Sequence, residues 1–216
     1  MINNTLERDI SQFLDTYSKF TYKERSKMKS SILKGEIDIC DVEGNYWDSF
    51  NIEIYIDKQK YPYCVPIIKE TSKKIKRIDE WHISENGFCC LEIDHELEYM
   101  SKRGINIVSF YQEKIYPFFT NTLYKKQNGN YANNEYKHHF DGVIQFYSEK
   151  LKLVDVSLII KILNTVISNN IPGRNEPCVC GNKTKIKKCH LTIIDFLKNL
   201  SKSRLQKDLK GFKELL

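Results

Sequence analysis

At the start of the chain, apolar residues recur three and four positions apart, at Leu6, Ile10, Phe13, Leu14 and Tyr17. That spacing lines one face of an α-helix, with Asn4 and Thr5 as candidate N-cap residues. From Ser30 to Ile68 the period drops to two. Ile37, Ile39 and Asp41 lead into a turn at Glu43-Gly44-Asn45, after which Trp47, Phe50, Ile52, Ile54 and Ile56 alternate with polar residues. Prolines at Tyr61-Pro62 and Val65-Pro66 interrupt the ladder, and a short strand is expected over Val65 to Ile68. This series predicts an antiparallel meander with one face buried by helices, an α+β fold.

Farther along, Trp81 to Leu91 follows neither period, and Asn86-Gly87 marks a turn. A helix is expected from Asn106, carrying Val108, Tyr111, Ile115, Phe118 and Phe119, with Pro117 as a kink or break. Residues 127–136 form a polar loop. Helical spacing returns from Asp141 to Ser168 and stops at Asn169-Asn170-Ile171-Pro172-Gly173. Leu197, Leu200, Leu205, Leu209 and Phe212 then predict a basic amphipathic helix at the end. The expected domains are residues 1–168, a linker over 169–172, a cysteine-rich knuckle over 173–191 and the final helix over 192–216.

Composition narrows the class. Of 216 residues, 41% are hydrophobic, 29% are charged, and glycine and proline together number 14, so disordered and collagen-like chains are excluded. No apolar run reaches membrane-spanning length, and the acidic start, with Glu7, Asp9 and Asp15, does not resemble a secretory signal. A cytoplasmic protein is the expectation. Charge is lopsided: residues 170–216 hold 11 Lys/Arg against 4 Asp/Glu, a net +7, and the remainder is net −1. Such a tail can seek nucleic acid or an acidic partner. The chain is, however, rich in Lys, Ile and Asn with alanine only at Ala132, so a solvated basic surface is the first reading.

Seven cysteines, an odd number, argue against a disulfide framework. Cys40 and Cys64 stand alone and are expected as small buried hydrophobes. Near the end, Cys178, Cys180, Cys189 and His190 give C-x-C-x8-C-H. Three thiolates and an imidazole are the donors Zn²⁺ prefers, and four ligands close a tetrahedral structural site. Lys183, Lys185, Lys187 and Lys188 between the ligand pairs offset the charge of such a centre. A knuckle this short has no core of its own, so metal binding must supply its folding energy. The run GRNEPCVCGNKTKIKKCH resembles the SEC-C motif, GRNDPCPCGSGKKYKKCH, the zinc knuckle of the bacterial preprotein-translocase ATPase. That resemblance covers residues 173–190 and implies a protein- or ribosome-docking module without catalysis.

A second resemblance lies over residues 45–100. The strand Asn51 to Asp57, then Tyr61-Pro62-Tyr63 with Pro66, then Gly87 to Leu91 is similar to the ubiquitin-conjugating enzyme fold, as are Leu123-Tyr124 and the stretch from Gly129 to Phe146-Tyr147. Cys90-Leu91-Glu92-Ile93 resembles the family's C-L-D-I, which aligns Cys90 with the acceptor nucleophile and Cys89 with the apolar residue before it. The family's H-P-N triplet is missing; His82 stands eight residues before Cys90 without a following proline. For His82 three roles stay open: donating to the oxyanion, lowering the thiol pKa, or bracing the loop. Asn86 is the nearest amide, though in a turn. Cys89 is expected in the core, since adjacent cysteines form only a strained disulfide. His138 and His139 are expected to cap or pack, and Asp94 and His95 to be exposed polar residues.

The resemblance implies a conjugating enzyme of a bacterial ubiquitin-like or anti-phage signalling system, with Cys90 carrying an acyl group as a thioester. It further implies a separate activating enzyme and a ubiquitin-like modifier or a modified partner enzyme such as a nucleotidyltransferase. The alternative is a non-catalytic adaptor that binds protein through the same fold and docks through the zinc knuckle.

Overall fold

The computed structural model describes residues 4–24, 30–132 and 135–216. The chain divides into two compact units, Met1–Glu135 and Tyr136–Leu216. The sequence placed this boundary after residue 168. It falls earlier because the helices between residues 139 and 167 bury their apolar faces with the C-terminal helices described below.

In the first unit, α1 (Asn4–Thr16) turns Leu6, Ile10 and Phe13 inward, as their spacing requires. The side chain of Asn4 lies outside the described residues. Four strands follow: β1 (Phe20–Glu24), β2 (Ser30–Cys40), β3 (Tyr46–Asp57) and β4 (Ile67–Glu70). They pair in sequence order, each antiparallel to the next. Period two does the rest: Leu33, Ile37 and Ile39 of β2 with Phe50, Ile52, Ile54 and Ile56 of β3 share the buried face. The predicted turn forms, with the Asp41 carboxylate accepting from the Glu43 and Asn45 amides at 2.9 and 2.8 Å.

Three departures from the sequence reading have local causes. Strand β1 was not anticipated, because its five residues offer only Phe20 and Tyr22 as an apolar signal. It forms because Gly35 opposite leaves room: a Cβ there would lie 2.5 Å from Phe20 Cγ. Strand β4 starts two residues later than expected, since Pro66 has no N–H to donate. Helix α2 (Asp94–Arg103) was also missed, being polar over most of its length.

Across the buried sheet face lie α3 (Ile107–Phe110), a π-helical turn (Tyr111–Ile115) and α4 (Tyr116–Asn128). Asn106 caps α3, accepting from the Val108 and Ser109 amides at 3.0 and 3.1 Å. The π turn precedes Pro117, which cannot donate to the carbonyl four residues back, and the wider turn absorbs that missing bond. Ile107, Phe110, Ile115 and Phe119 complete the core, and Tyr111 meets Phe13 edge to face and Tyr17 at a tilt, with ring centroids 5.4 and 4.2 Å apart.

The second unit is helical. The expected run from Asp141 to Ser168 is two helices, α5 (His139–Leu151) and α6 (Val156–Ile167). Lys152, at φ +55°, ends α5, and Asp155 caps α6 through the Ser157 amide at 2.8 Å. The final helix is likewise split into α7 (Leu191–Lys198) and α8 (Lys202–Lys213), with Ser201 capping α8. Phe146, Tyr147, Ile159, Ile162, Leu163, Ile194, Leu197, Leu205 and Phe212 are buried here. A buried hydrogen bond from Tyr147 Oη to Asp208 at 2.9 Å ties α5 to α8. Among the described residues no helix is long and apolar enough to cross a membrane.

Candidate functional site

The Cys90 segment is built on the edge of β4. A 3₁₀ turn, Asp79–Trp81, delivers the chain to His82, whose amide donates to the Asp79 carbonyl at 2.7 Å. The chain reverses over Ser84–Phe88, closed by Gly87 N to Ser84 O at 2.8 Å and Ser84 N to Phe88 O at 2.9 Å. Ile83 then pairs with Cys89, and the Cys90 amide donates to the His82 carbonyl at 2.8 Å. The returning limb adds to the sheet: Glu70 N donates to Gly87 O and Cys89 N to Ile68 O, both at 2.9 Å.

Gly87 is required at this junction. Its φ is +88°, and a Cβ would lie 2.7 Å from the Glu70 carbonyl and 3.0 Å from the Arg77 guanidinium. Beneath it the buried Glu70 carboxylate pairs with Arg77 and accepts from the Ser72 hydroxyl, and Arg77 also donates to the Glu70 carbonyl at 2.9 Å. The turn is thus fixed from the sheet side by backbone bonds and an ion pair.

Alternation along the returning limb sends neighbouring side chains to opposite faces. Cys89 packs against the core, and burial pushes its thiol up to about 12. Cys90 is exposed. Its thiol is nevertheless raised from the ordinary value, first by partial desolvation and then by the carboxylates of Asp94 and Glu92. Glu92 is shared with Lys114 at 2.8 Å.

Other expected residues sort clearly. His82 stands across from Cys90 in the hydrogen-bonded pairing, and its Nε2 meets Glu135 Oε2 at 2.5 Å. Asn86 is exposed at the tip of the turn, away from the His82–Cys90 end. Asp94 opens α2, whereas His95, expected at the surface, is fully buried. His138 holds the N-cap position of α5 without a side-chain capping bond, and His139 follows at φ +55°. Cys40 and Cys64, expected to be buried, are only half-buried. Glu135 carried no sequence signal, being one acidic residue in a polar loop.

The second constellation is in the C-terminal unit. A short pairing of Pro177 with Lys185, and Cys178 N donating to Thr184 O at 2.9 Å, form a hairpin that presents Cys178 and Cys180. The 3₁₀ turn Ile186–Lys188 brings in Cys189 and His190. The four ligand atoms lie within 4.8 Å of one another and could hold a metal ion. Cys180 and Cys189 sulfurs are 3.7 Å apart, and His190 Nδ1 is 3.2 Å from both Cys178 and Cys189. A tetrahedral ion with sulfur at about 2.3 Å separates its ligands by roughly 3.8 Å, so the spacing suits one.

Protonation supports the same reading. His190 Nε2 is 2.7 Å from the Leu151 carbonyl, which can only accept, so Nε2 carries the proton and the Nδ1 lone pair faces the thiols. Burial, with Cys178 and Cys180 close by, pushes the Cys189 thiol up to about 12. Cys180 is lowered, because hydrogen bonds from the Asn182 backbone, Cys178 and Cys189 outweigh burial. Three thiols this close do not all ionise unless a cation joins them.

The chain is therefore an α+β protein with an antiparallel meander, an exposed thiol at the sheet edge and a Cys₃His cluster suited to a metal. Comparison with protein-family models, with curated proteins and with solved structures finds no match.

Proposed function

We propose that this protein is an acyl-carrying transferase of the ubiquitin-conjugating kind, with Cys90 as its thioester-forming residue. The observation that carries the reading is placement. Of seven cysteines Cys90 alone is exposed, at the end of a turn that the sheet edge holds rigid. The Cys90 thiolate attacks the carbonyl carbon of a donor thioester, expelling the donor's thiolate. An amine then attacks the new thioester, and the Cys90 thiolate leaves. The bond exchange is near thermoneutral, so the protein's contribution is position. In this reading His82 serves the reacting centre, and Asn86, at the far end of the turn, does not. Asp94 and Glu92 at the thiol suit a cationic amine acceptor such as lysine.

Zn²⁺ is the ion we assign to Cys178, Cys180, Cys189 and His190, where it supplies a closed structural centre and no step of the transfer. The unit that holds it carries 15 Lys/Arg against 7 Asp/Glu, a net +8, and Lys183, Lys185, Lys187 and Lys188 are exposed around the knuckle. This suits docking on an acidic protein surface, in the manner of the SEC-C motif. The partners in this reading are an activating enzyme and a ubiquitin-like modifier or modified enzyme of an anti-phage system, in the reducing cytoplasm.

One feature favours a second reading, a non-catalytic adaptor: burial, with the Asp94 and Glu92 carboxylates, holds the Cys90 thiol above its ordinary value and so disfavours the thiolate. Limiting maleimide on the metal-loaded protein at pH 7, with adducts mapped by peptide mass spectrometry, separates the two. The transferase reading expects Cys90 to label ahead of the half-buried Cys40 and Cys64, with the metal-bound thiols protected. If Cys90 labels no faster than Cys40, the mechanism has lost its nucleophile and the adaptor takes over.

A further inference from the structure

Strand β1 begins at Phe20, opposite Gly35, so β2 runs on past it and its edge from Glu36 to Asp38 has no β1 partner. The link from α1 bends past that open edge, with the Tyr17 amide donating to the Phe13 carbonyl at 2.8 Å and the Phe20 amide to the Tyr17 carbonyl at 3.0 Å. Facing it is the π turn, closed by a bond from the Tyr116 amide to the Tyr111 carbonyl five residues back. In an α-helix, side chains five residues apart diverge by roughly 140°. The wider turn brings Tyr111 and Tyr116 onto one side, with ring centroids 6.4 Å apart.

Link, edge and π turn enclose a cleft of about 480 Å³. Its aromatic surface comes from Tyr17, Phe20, Tyr111 and Tyr116, and the Tyr116 hydroxyl is fixed to β2 by accepting from the Cys40 amide at 3.3 Å. Glu36 and Asp38 supply carboxylates, bridged by the half-exposed Lys19 ammonium at 2.9 and 2.7 Å. Two carboxylates against one ammonium leave the cleft negative. Tyr111 is 5% exposed, and among the described residues its hydroxyl has no hydrogen-bond partner. Burial first, then the Tyr17 and Tyr116 hydroxyls and the Asp38 carboxylate, raise it above the ordinary tyrosine range. All three of those neighbours line the cleft, so the Tyr111 hydroxyl opens into it. A polar group withdrawn this far from water ordinarily has a partner.

We propose that this cleft is a binding site for a small organic ammonium, with its apolar body on the tyrosine rings and its charged end at Asp38 and Glu36. Aromatic faces attract a cation, the carboxylates balance it, and the Tyr111 hydroxyl oxygen accepts from one of its N–H groups. An exposed ion pair contributes little, so the Lys19 ammonium swings aside at small cost. The volume is that of a small-molecule site. The site stands whether or not Cys90 carries an acyl group, because none of its parts belongs to the Cys90 turn.

The test uses the full metal-loaded chain and two probes of similar shape and opposite charge, phenethylammonium and 3-phenylpropionate. Each is titrated to about 10 mM at low ionic strength and followed by backbone amide NMR shifts. For the ammonium we expect saturable shifts at residues 16–20, 36–38 and 111–116, with a dissociation constant of about 1 mM or below. The carboxylate is expected to bind at least about tenfold more weakly. Lys19→Met removes the competing cation, so it should tighten the ammonium about threefold or more, an effect that shrinks in salt. Asp38→Asn should loosen it about three- to tenfold, and Tyr111→Phe, which keeps the ring, about threefold. No saturable shift at these residues overturns the proposal, as does a carboxylate that binds as tightly as the ammonium. Weaker ammonium binding in Lys19→Met overturns it too, since Lys19 would then be part of the site and not its competitor. If that substitution disturbs β1, seen as shifts along Phe20–Glu24 before any probe is added, the wild-type comparison of the two probes decides.

Discussion

Cys90 and the Cys178–His190 cluster are both cysteine sites, and they are held in opposite ways. The Cys90 turn hangs from a sheet edge by backbone hydrogen bonds over the buried Glu70 and its partner Arg77, within a unit that has its own large apolar core. The knuckle has a two-residue pairing, one 3₁₀ turn and Ile186 as its buried aliphatic side chain. Burial and the neighbouring sulfurs hold the Cys189 thiol protonated, and a cation is what would draw it into the cluster. One site is made by the fold and lends itself to a reaction; the other is made by what it binds and lends itself to structure.

Metal removal should break this symmetry most forcefully. Structural zinc contributes about 10–16 kcal/mol of apparent binding energy in small knuckles, which is folding energy where no other core exists. Chelation should therefore unfold residues 173–190 and free His190 from Leu151, so that the C-terminal end of α5 loses protection as well. Hydrogen-exchange mass spectrometry with and without a chelator reads this directly. Strands β2 and β3 should keep their protection. Equal loss in both units, or none in either, would show that the two sites are not held differently.

Gly87→Ala attacks the other side of the comparison. The substitution forces a methyl to within 2.7 Å of the Glu70 carbonyl at φ +88°. A residue held in such a conformation costs of order 1–3 kcal/mol before the clash is counted, so a loss of about 2–4 kcal/mol is expected in chemical denaturation. Cys89, packed behind the turn, should then label faster. Gly129→Ala is the control: its φ is similar, +83°, but a Cβ there meets nothing within 4 Å. It should cost about 1 kcal/mol. Similar losses for both variants would mean that the close approach at Gly87 contributes nothing.

The two sites also differ in how much of them the sequence displays. Four soft donors within thirteen positions are visible as spacing, because a metal's coordination shell is a local demand on a short segment. Strands β2 and β3 were equally legible, since the unbroken alternation from Phe50 through Ile52, Ile54 and Ile56 leaves one face no choice. Strand β1 was not: five residues at an edge depend on a glycine fifteen positions away making room for Phe20. His95 was misplaced because a helix of mostly polar residues hides which side chain its neighbours cover. Glu135 was invisible for a stronger reason. It is separated from His82 by 53 positions and joined to it by a loop that returns, which no local periodicity encodes.

The smallest expected effect concerns the field at Cys90. Its thiol is raised by burial first and by the Asp94 and Glu92 carboxylates next, and only the charges can be removed without disturbing the turn. Below the thiol pKa the thiolate fraction falls tenfold for each unit of pH, so lowering that pKa must raise the rate at pH 7. Asp94→Asn is expected to speed iodoacetamide alkylation of Cys90 about two- to threefold at low ionic strength. The gain should shrink in high salt, which screens exposed charges. In alkali the order should equalise or slightly reverse, because the wild-type thiolate, with the higher pKa, is the better nucleophile. Glu92→Gln should act in the same direction and a little further, since it also releases the Lys114 ammonium to the thiol's surroundings. A rate that does not rise at pH 7 in either variant would mean that desolvation alone sets the thiol. Cys90 would then resemble the protected cysteines of the knuckle more than the contrast between the two sites allows.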